Sequence, residues 1–314
     1  MSKYLGIDTS NYTTSAAIFD CDKYIFFQNK KLLPVKSGEK GLRQSDAVFH
    51  HTVQIPKIIT ELFSEHRCEV SAVGVSNAPM SRKGSYMPCF LAGISVAKSV
   101  SEILNVPYYE FSHQAGHIAA VIAASQRYDL LEKEFIAFHL SGGTTQALFV
   151  RPDKQNIFNI ELVAQSLDLK AGQAIDRAGI MLGLDFPCGA ELDKLSLNSD
   201  KTFKIKPSMK GSDCSLSGIE NKCLKMLENG ERREDIAKFT ILSVISAVDS
   251  MLRNTLKEYG ELPILFSGGV SSNSMMQKHF TQNFGAVFTA PEFSTDNAVG
   301  TAFLTYLKSK DSYG

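Results

Sequence analysis

Glu134-Phe135-Ile136-Ala137-Phe138-His139-Leu140-Ser141-Gly142-Gly143-Thr144-Thr145-Gln146-Ala147-Leu148-Phe149-Val150 reads as a strand, a glycine turn and a second strand. The first run (134–139) is apolar and rich in β-formers, and Gln146 to Val150 resumes the pattern after five small or hydroxylated residues. The same theme opens the chain. Lys3 to Ile7 and Thr14 to Phe19 are short β-runs joined by the polar turn Asp8-Thr9-Ser10-Asn11-Tyr12-Thr13. Carboxylates, hydroxyls and backbone N–H groups at such a tip suit a phosphate or its metal, although Asx and ST turns produce the same composition. A third strand, Pro263 to Phe266, ends in Ser267-Gly268-Gly269-Val270 and leads into a helical pattern over 273–280. Paired glycines let a backbone approach a ligand with no Cβ in the way, and a helix start favours anions. Together the Ser-Gly-Gly turns point to nucleotide or phosphate binding.

Helical patterns cover 47–65, 89–104, 236–259 and 298–307, and Val70 to Val75 is a buried strand. The segment Leu167 to Arg177 runs into a helix ending at Gly183, and the spacing of Asp168, Gly172 and Asp176 places them on one helical face. Such a face suits ribose hydroxyls, or is simply solvated. Lys201 to Lys210 holds four lysines and a phenylalanine, a segment that could touch a phosphate backbone or stand as a solvated loop.

His113-Gln114-Ala115-Gly116-His117 opens an Ala/Ile/Val-rich helical run after Pro107. Imidazoles at i and i+4 share a helical face and could bind one metal ion, or could be satisfied by backbone carbonyls. Gln114 stands where a zinc protease of the H-E-x-x-H kind has its glutamate base, which disfavours peptide hydrolysis.

The 314 residues suffice for two lobes. Hydrophobic content of 44% and charged content of 21% are those of a globular protein. Lys+Arg and Asp+Glu both number 33, so a nucleic-acid partner needs a local basic patch. With no signal-like or membrane-length apolar segment, and six scattered cysteines without a C-x-x-C pair, a cytoplasmic protein with reduced thiols and no membrane partner is expected.

Seven motifs, in matching order, resemble the tRNA threonylcarbamoyladenosine family (Kae1/TsaD, formerly O-sialoglycoprotein endopeptidase). GIDTS (6–10) resembles its first phosphate hairpin, SHQAGHIAA (112–120) its H-x-E-G-H helix, and LSGGTTQ (140–146) its L-x-SGGHTQ turn. The stretch 167–189 resembles LDDAAGEAFDK with its YPGG continuation, and SLSGIENK (215–222) resembles SFSGLKT. SGGVSSN (267–273) and FSTDNAVGTAF (293–303) resemble the GGV-x-AN and YCTDNAAMIA stretches. The chain departs from the family at Tyr12 and Thr13, where the hairpin is acidic, and at Thr144, Leu169 and Gln173, which replace His, Asp and Glu.

The resemblance implies an α/β, two-lobed actin/Hsp70/sugar-kinase-like (ASKHA) fold with the active site between the lobes. The first lobe would be 1–110, with helix 298–314 packing back on it, and the second 111–297. One divalent ion, iron or zinc, would be held by His113, His117 and Asp296. The adenine nucleotide, threonylcarbamoyl-AMP or ATP, would meet Asp8, Ser10, His139, Leu140, Ser141, Gly142, Gly143, Asn159, Gly172, Asp176 and Asn273. The implied activity transfers threonylcarbamoyl from its adenylate to adenosine-37 of tRNA, with a smaller paralogous subunit and an ATPase as partners. A paralogous carbamoyl- or acyl-adenylate transferase with another acceptor, or a nucleotide-binding scaffold subunit, are the rival readings.

Overall fold

A computed structural model describes residues 2–10, 12–34, 42–82, 84–288 and 298–312. They fall into two compact units, 1–131 with 152–159 and 295–314, and 132–151 with 160–294.

The first unit carries a sheet in the order β3-β2-β1-β4-β5, made of β1 (Lys3–Asp8), β2 (Thr13–Asp20), β3 (Ile25–Leu32), β4 (Val70–Ala78) and β5 (Tyr108–Ser112). β1, β2 and β3 are antiparallel, while β4 and β5 run parallel to β1. The second unit repeats this plan. Its sheet runs β8-β7-β6-β11-β12, from β6 (Phe135–Leu140), β7 (Thr145–Asp153), β8 (Ile157–Gln165), β11 (Ile264–Ser267) and β12 (Val287–Phe288). Again a hairpin (β6–β7) is joined by parallel strands beyond its first member. Each buried strand ends in one of the polar turns, so the repeat of sequence theme is a repeat of topology. This is the two-lobed α/β organisation expected.

In the first unit α1 (Gln44–Glu65) and α2 (Phe90–Leu104) cover one sheet face, where Ile58, Leu62 and Ala97 pack on Leu5, Ile18 and Val73. α3 (His113–Ser125) and α9 (Val299–Ser312) also belong to this unit. The unit therefore continues past residue 110 to 131: β5 completes its sheet and α3 packs on α9. The contacts of the last helix with α3 and with β1 are made at glycines. A Cβ on Gly300 would lie 1.8 Å from the Gly116 carbonyl oxygen, and one on Gly6 would lie 2.3 Å from the Ala302 nitrogen.

The second unit is built on α7 (Arg233–Tyr259), whose Ile241, Val244, Val248 and Leu252 are buried. Around it are α4 (Ala171–Met181), α5 (Gly189–Ser196), α6 (Gly218–Glu228) and α8 (Ser274–Phe284), and a small hairpin of β9 (Ser208–Lys210) and β10 (Asp213–Ser215). All six cysteines are free thiols, and among the described residues no helix is long and apolar enough to cross a membrane.

A buried polar network lies under α1. Thr14 donates its hydroxyl proton to Gln54 Oε1 at 2.8 Å, and Gln54 Nε2 donates to the Leu32 carbonyl at 3.2 Å, which fixes the amide's orientation. Thr14 has then no second proton, so the 2.7 Å contact to His51 is donated by the ring's Nδ1–H. Burial, reinforced by His50 and opposed by Asp8, lowers the His51 pKa from 6.5 to about 4. The folded protein thus holds a neutral ring where the unfolded chain takes up a proton. Stability present above pH 6.5 is lost as pH falls from there towards 4, by about 2 kcal/mol after allowing for solvent screening. His51→Asn keeps an amide donor and is expected to flatten the pH dependence of the thermal midpoint between pH 6.5 and 4. An unchanged slope in the variant would assign the effect to other groups.

Candidate functional site

The end of β1, the end of β4 and the start of α3 meet in the first unit. Ser112 caps α3, its Oγ accepting from the Ala115 nitrogen at 3.1 Å, and the Gln114 nitrogen bonds the Pro79 carbonyl. This anchoring places His113 and His117 on one helical face, with ring centroids 4.3 Å apart. Asp8 is 1% exposed and its carboxylate is fully engaged. Oδ1 accepts from the Ser10 nitrogen at 2.8 Å, and Oδ2 accepts from Ser76 Oγ and from His113 Nδ1 at 2.8 Å. Burial pushes the Asp8 carboxyl up, but His113, through charge and hydrogen bond, and then Ser76 and Ser10 outweigh it, so the pKa is lowered. Asp8 stays ionised.

A carboxylate that accepts from Nδ1–H orients the His113 ring, the arrangement that supports metal-bound histidine. Two imidazoles on one helical face, one of them carboxylate-oriented, fit a transition-metal or zinc ion. Among the described residues no three His, Cys, Asp or Glu form a complete ligand group. Asp296, the third ligand implied by the resemblance, lies outside the described residues. Asp8, expected at the nucleotide, is in this structure the partner of His113. Ser10 Oγ is buried and has no hydrogen-bond partner among the described residues, which leaves a hydroxyl for a ligand.

The second unit gathers Ser141, Gly142, Gly143 and Gly172. The Ser141 hydroxyl accepts from the Gly143 and Thr144 nitrogens at 3.3 and 3.0 Å, and so shapes its own turn. The Gly172 nitrogen donates to the Ser141 carbonyl at 3.2 Å, and the Ala171 nitrogen to Thr145 Oγ1 at 2.7 Å. The first N–H groups of α4 are therefore spent on the turn itself. A Cβ on Gly172 would stand 2.7 Å from the Gly142 nitrogen, whereas Gly142 and Gly143 face open space. Gly172→Ala is expected to push the turn outward and weaken adenine-nucleotide binding roughly tenfold, since the backbone cannot yield without losing these bonds. Titration calorimetry with an ATP analogue checks this; wild-type affinity would show that the turn does not hold nucleotide.

Ser267 Oγ donates to the Phe138 carbonyl at 3.1 Å, so His139 Nδ1–H is the donor to Ser267 at 3.0 Å. This bond ties the two Ser-Gly-Gly strands together. Leu140 has its side chain in the core, so only its backbone faces the turns. Gly268 has φ 89° and lies against the Leu140 carbonyl, 2.3 Å from where a Cβ would be, and so admits only glycine.

Several expected roles change. Asp168 precedes α4 and shares no face with Gly172 and Asp176, because Lys170 is extended and the helix begins at Ala171. Its carboxylate instead clips a neighbouring loop, accepting from the Leu216 nitrogen at 2.7 Å and Ser217 Oγ at 2.6 Å. Asp176 accepts from the Cys188 nitrogen at 2.9 Å, and burial raises its pKa. A 3-10 turn (Gly269–Ser272) separates the second glycine turn from α8, whose start is capped by Asn273, Oδ1 accepting from the Met276 nitrogen at 2.9 Å. Asn273 also donates to Asp193 at 2.8 Å. Asn159 is an exposed residue of β8 grouped with the first unit. Ser76, and Thr301 whose Oγ1 lies 3.2 Å from Ser76 Oγ, were not singled out by the sequence; each is a plain hydroxyl residue in a strand or helix.

Residues 34–303 match the family model described as TsaD, tRNA N6-adenosine threonylcarbamoyltransferase. The chain belongs to the TsaD family. Curated relatives bearing that name include one from Thermosipho africanus, 29% identical over 96% of this chain and 93% of its own length, and one from Christiangramia forsetii, 28% identical over 97% and 92%. Among solved structures, T. kodakarensis HypF superposes with a TM-score of 0.60 at 12% identity, covering 99% of this chain and 47% of that one. A ROK family glucokinase from Streptomyces griseus gives 0.54 at 12% identity, covering 98% and 99%. These structural likenesses establish the fold alone, the actin/Hsp70/sugar-kinase one.

Proposed function

We propose that this TsaD-family chain transfers threonylcarbamoyl from threonylcarbamoyl-AMP to N6 of adenosine-37 in tRNA. The observation that carries the reading is the histidine pair of α3 with His113 held by ionised Asp8, in a chain matched to the family over residues 34–303. A scaffold needs no oriented imidazoles.

In the reaction the N6 amine forms a bond to the carbamoyl carbon, the bond from that carbon to the phosphate oxygen breaks, AMP leaves and N6 loses a proton. His113, His117 and Asp296 would hold a divalent ion, iron or zinc, which supplies Lewis-acid polarisation of a carbamoyl or phosphate oxygen. Asp8 keeps His113 in register, and Ser10 offers a buried hydroxyl. The open side of Gly142 and Gly143 would admit the adenylate, with Gly172 holding the turn in place. Positioning supplies much of the rate for so weak a nucleophile. A cytoplasmic site of action suits this substrate. α1 and α2 leave Phe49, Val53, Leu91 and Ile103 exposed, apolar surface that a smaller paralogous subunit could cover beside an ATPase.

The test is nucleoside mass spectrometry of tRNA from a strain depleted of its own enzyme and carrying this chain. Restored threonylcarbamoyladenosine supports the reading; a persistent deficit, with adenylate consumed on another amine, moves the activity to the paralogous-acceptor alternative.

A further inference from the structure

The chain is neutral overall, yet residues 201–225 hold six lysines against Asp213 and Glu220. The structure arranges them. From 202 to 210 exposure alternates as along a strand, although only the last three residues (β9) are one: Thr202, Lys204, Lys206, Ser208 and Lys210 are exposed, while Phe203, Ile205, Pro207 and Met209 are partly buried. Phe203 packs edge-on to Phe239 of α7 at 5.5 Å, and Met209 lies against the core. Side chains on one face of such a segment recur about every 7 Å. Lys204, Lys206 and Lys210 thus form a cationic row backed by an apolar anchor.

None of the three has an ion-pair partner among the described residues, nor have Lys222 and Lys225 on the exposed side of α6. Three of the acids nearby are engaged elsewhere. Glu231 takes Lys201 at 2.5 Å, Glu220 takes Arg177 at 2.7 Å, and Asp213 accepts from the Gln165 nitrogen at 2.8 Å. Between the row and α6 lies a cavity of about 70 Å³ bordered by Lys206, Ser208, Ser215 and Lys222. Two ammonium groups and two hydroxyls are the donors that a phosphate oxygen takes. The row is also fixed to the glycine turn. β10 bridges to Ser166, the Asp168 carboxylate holds Leu216 and Ser217, and the Ser166 nitrogen bonds the Thr145 carbonyl next to Ser141–Thr144.

We propose that Lys204, Lys206 and Lys210, with Lys222 and Lys225, form the surface on which the tRNA phosphate backbone binds. The proposal rests on the tRNA reading above. Fluorescence-monitored binding of tRNA to the full chain, with whatever subunits copurify, is measured from low to high salt. A Lys204→Gln/Lys206→Gln/Lys210→Gln variant is expected to bind roughly 10- to 100-fold more weakly near 0.1 M salt. Its log affinity against log salt should be shallower by about 2 to 3, one increment per lost phosphate contact. The triple Lys→Arg variant keeps both, and the Gln variant keeps its thermal midpoint and its affinity for an ATP analogue. An unchanged slope beside intact wild-type tRNA binding overturns the proposal alone. Absence of wild-type tRNA binding, with a small amine accepting the carbamoyl group, overturns the tRNA reading and the proposal with it. Loss of a copurifying subunit from the Gln variant at unchanged tRNA slope assigns the row to that subunit.

Discussion

Purified His113→Ala and His117→Ala proteins are expected to carry roughly a tenth or less of the wild-type metal, and to lose transfer activity by at least about a thousandfold. In the proposed site, removing one imidazole leaves two protein ligands, too few to hold an ion against solvent. Asp8→Asn separates support from ligation. The amide keeps an acceptor for Nδ1–H but removes the charge that Ser76, Ser10 and His113 converge on. Its metal affinity is expected to fall by about 10- to 100-fold, the range for carboxylates behind metal-bound histidine. Elemental analysis of protein prepared with and without oxygen measures both effects. Full metal occupancy in the His117→Ala protein would show that the pair is a structural one.

The largest effect on stability is expected at Gly300. A Cβ there would sit 1.8 Å from the Gly116 carbonyl oxygen and 2.8 Å from the Ala120 nitrogen, both backbone atoms of α3. Neither can rotate away. Gly300→Val must therefore separate α9 from α3, breaking the packing that also includes Gly6 and Ala302. We expect a loss of more than about 3 kcal/mol, enough to leave the first unit unfolded at 37 °C. Gly300→Ala brings the same Cβ against the same backbone atoms and is expected to lower the midpoint by on the order of 10 °C, with the valine methyls adding to that loss. Thermal denaturation followed by circular dichroism measures both, and a wild-type midpoint for Gly300→Val would mean that the helices do not meet there. Gly116 lies between His113 and His117, so this crossing also sets where the imidazoles stand.

Much of the architecture is legible along the chain because it is local. The hairpins around 8–13 and 141–145 announce themselves by alternating apolar strands and hydroxyl- or glycine-rich tips, and the helix starting at His113 by small apolar residues. β5 is harder to read, since Pro107 precedes it and Tyr109 and Glu110 break the apolar run. β9 and β10 are three residues each, below the length at which periodicity means anything. At the site, the histidine spacing was visible but its support was not. Ser76 reaches Asp8 across 68 positions, and Ser76 meets Thr301 across 225. Asp168 misled for a different reason. Its spacing from Gly172 and Asp176 is helical, but the extended Lys170 starts the helix too late to include it. Spacing records where residues could share a face; only the cap decides where the face begins.

The packing of α9 on α3 and β1 has a consequence for biosynthesis. Residues 160–294 are a continuous stretch of the second unit, and all of them leave the ribosome before Val299. At roughly 5 to 20 residues per second, the interval between Leu131 and Val299 lasts about ten to thirty seconds. Through that time β1 presents Gly6 with no helix against it, and α3 holds its histidines without its lasting neighbour. The first unit waits for its closing segment through the whole of that interval. A nascent chain halted before Val299 thus has an unfinished histidine site.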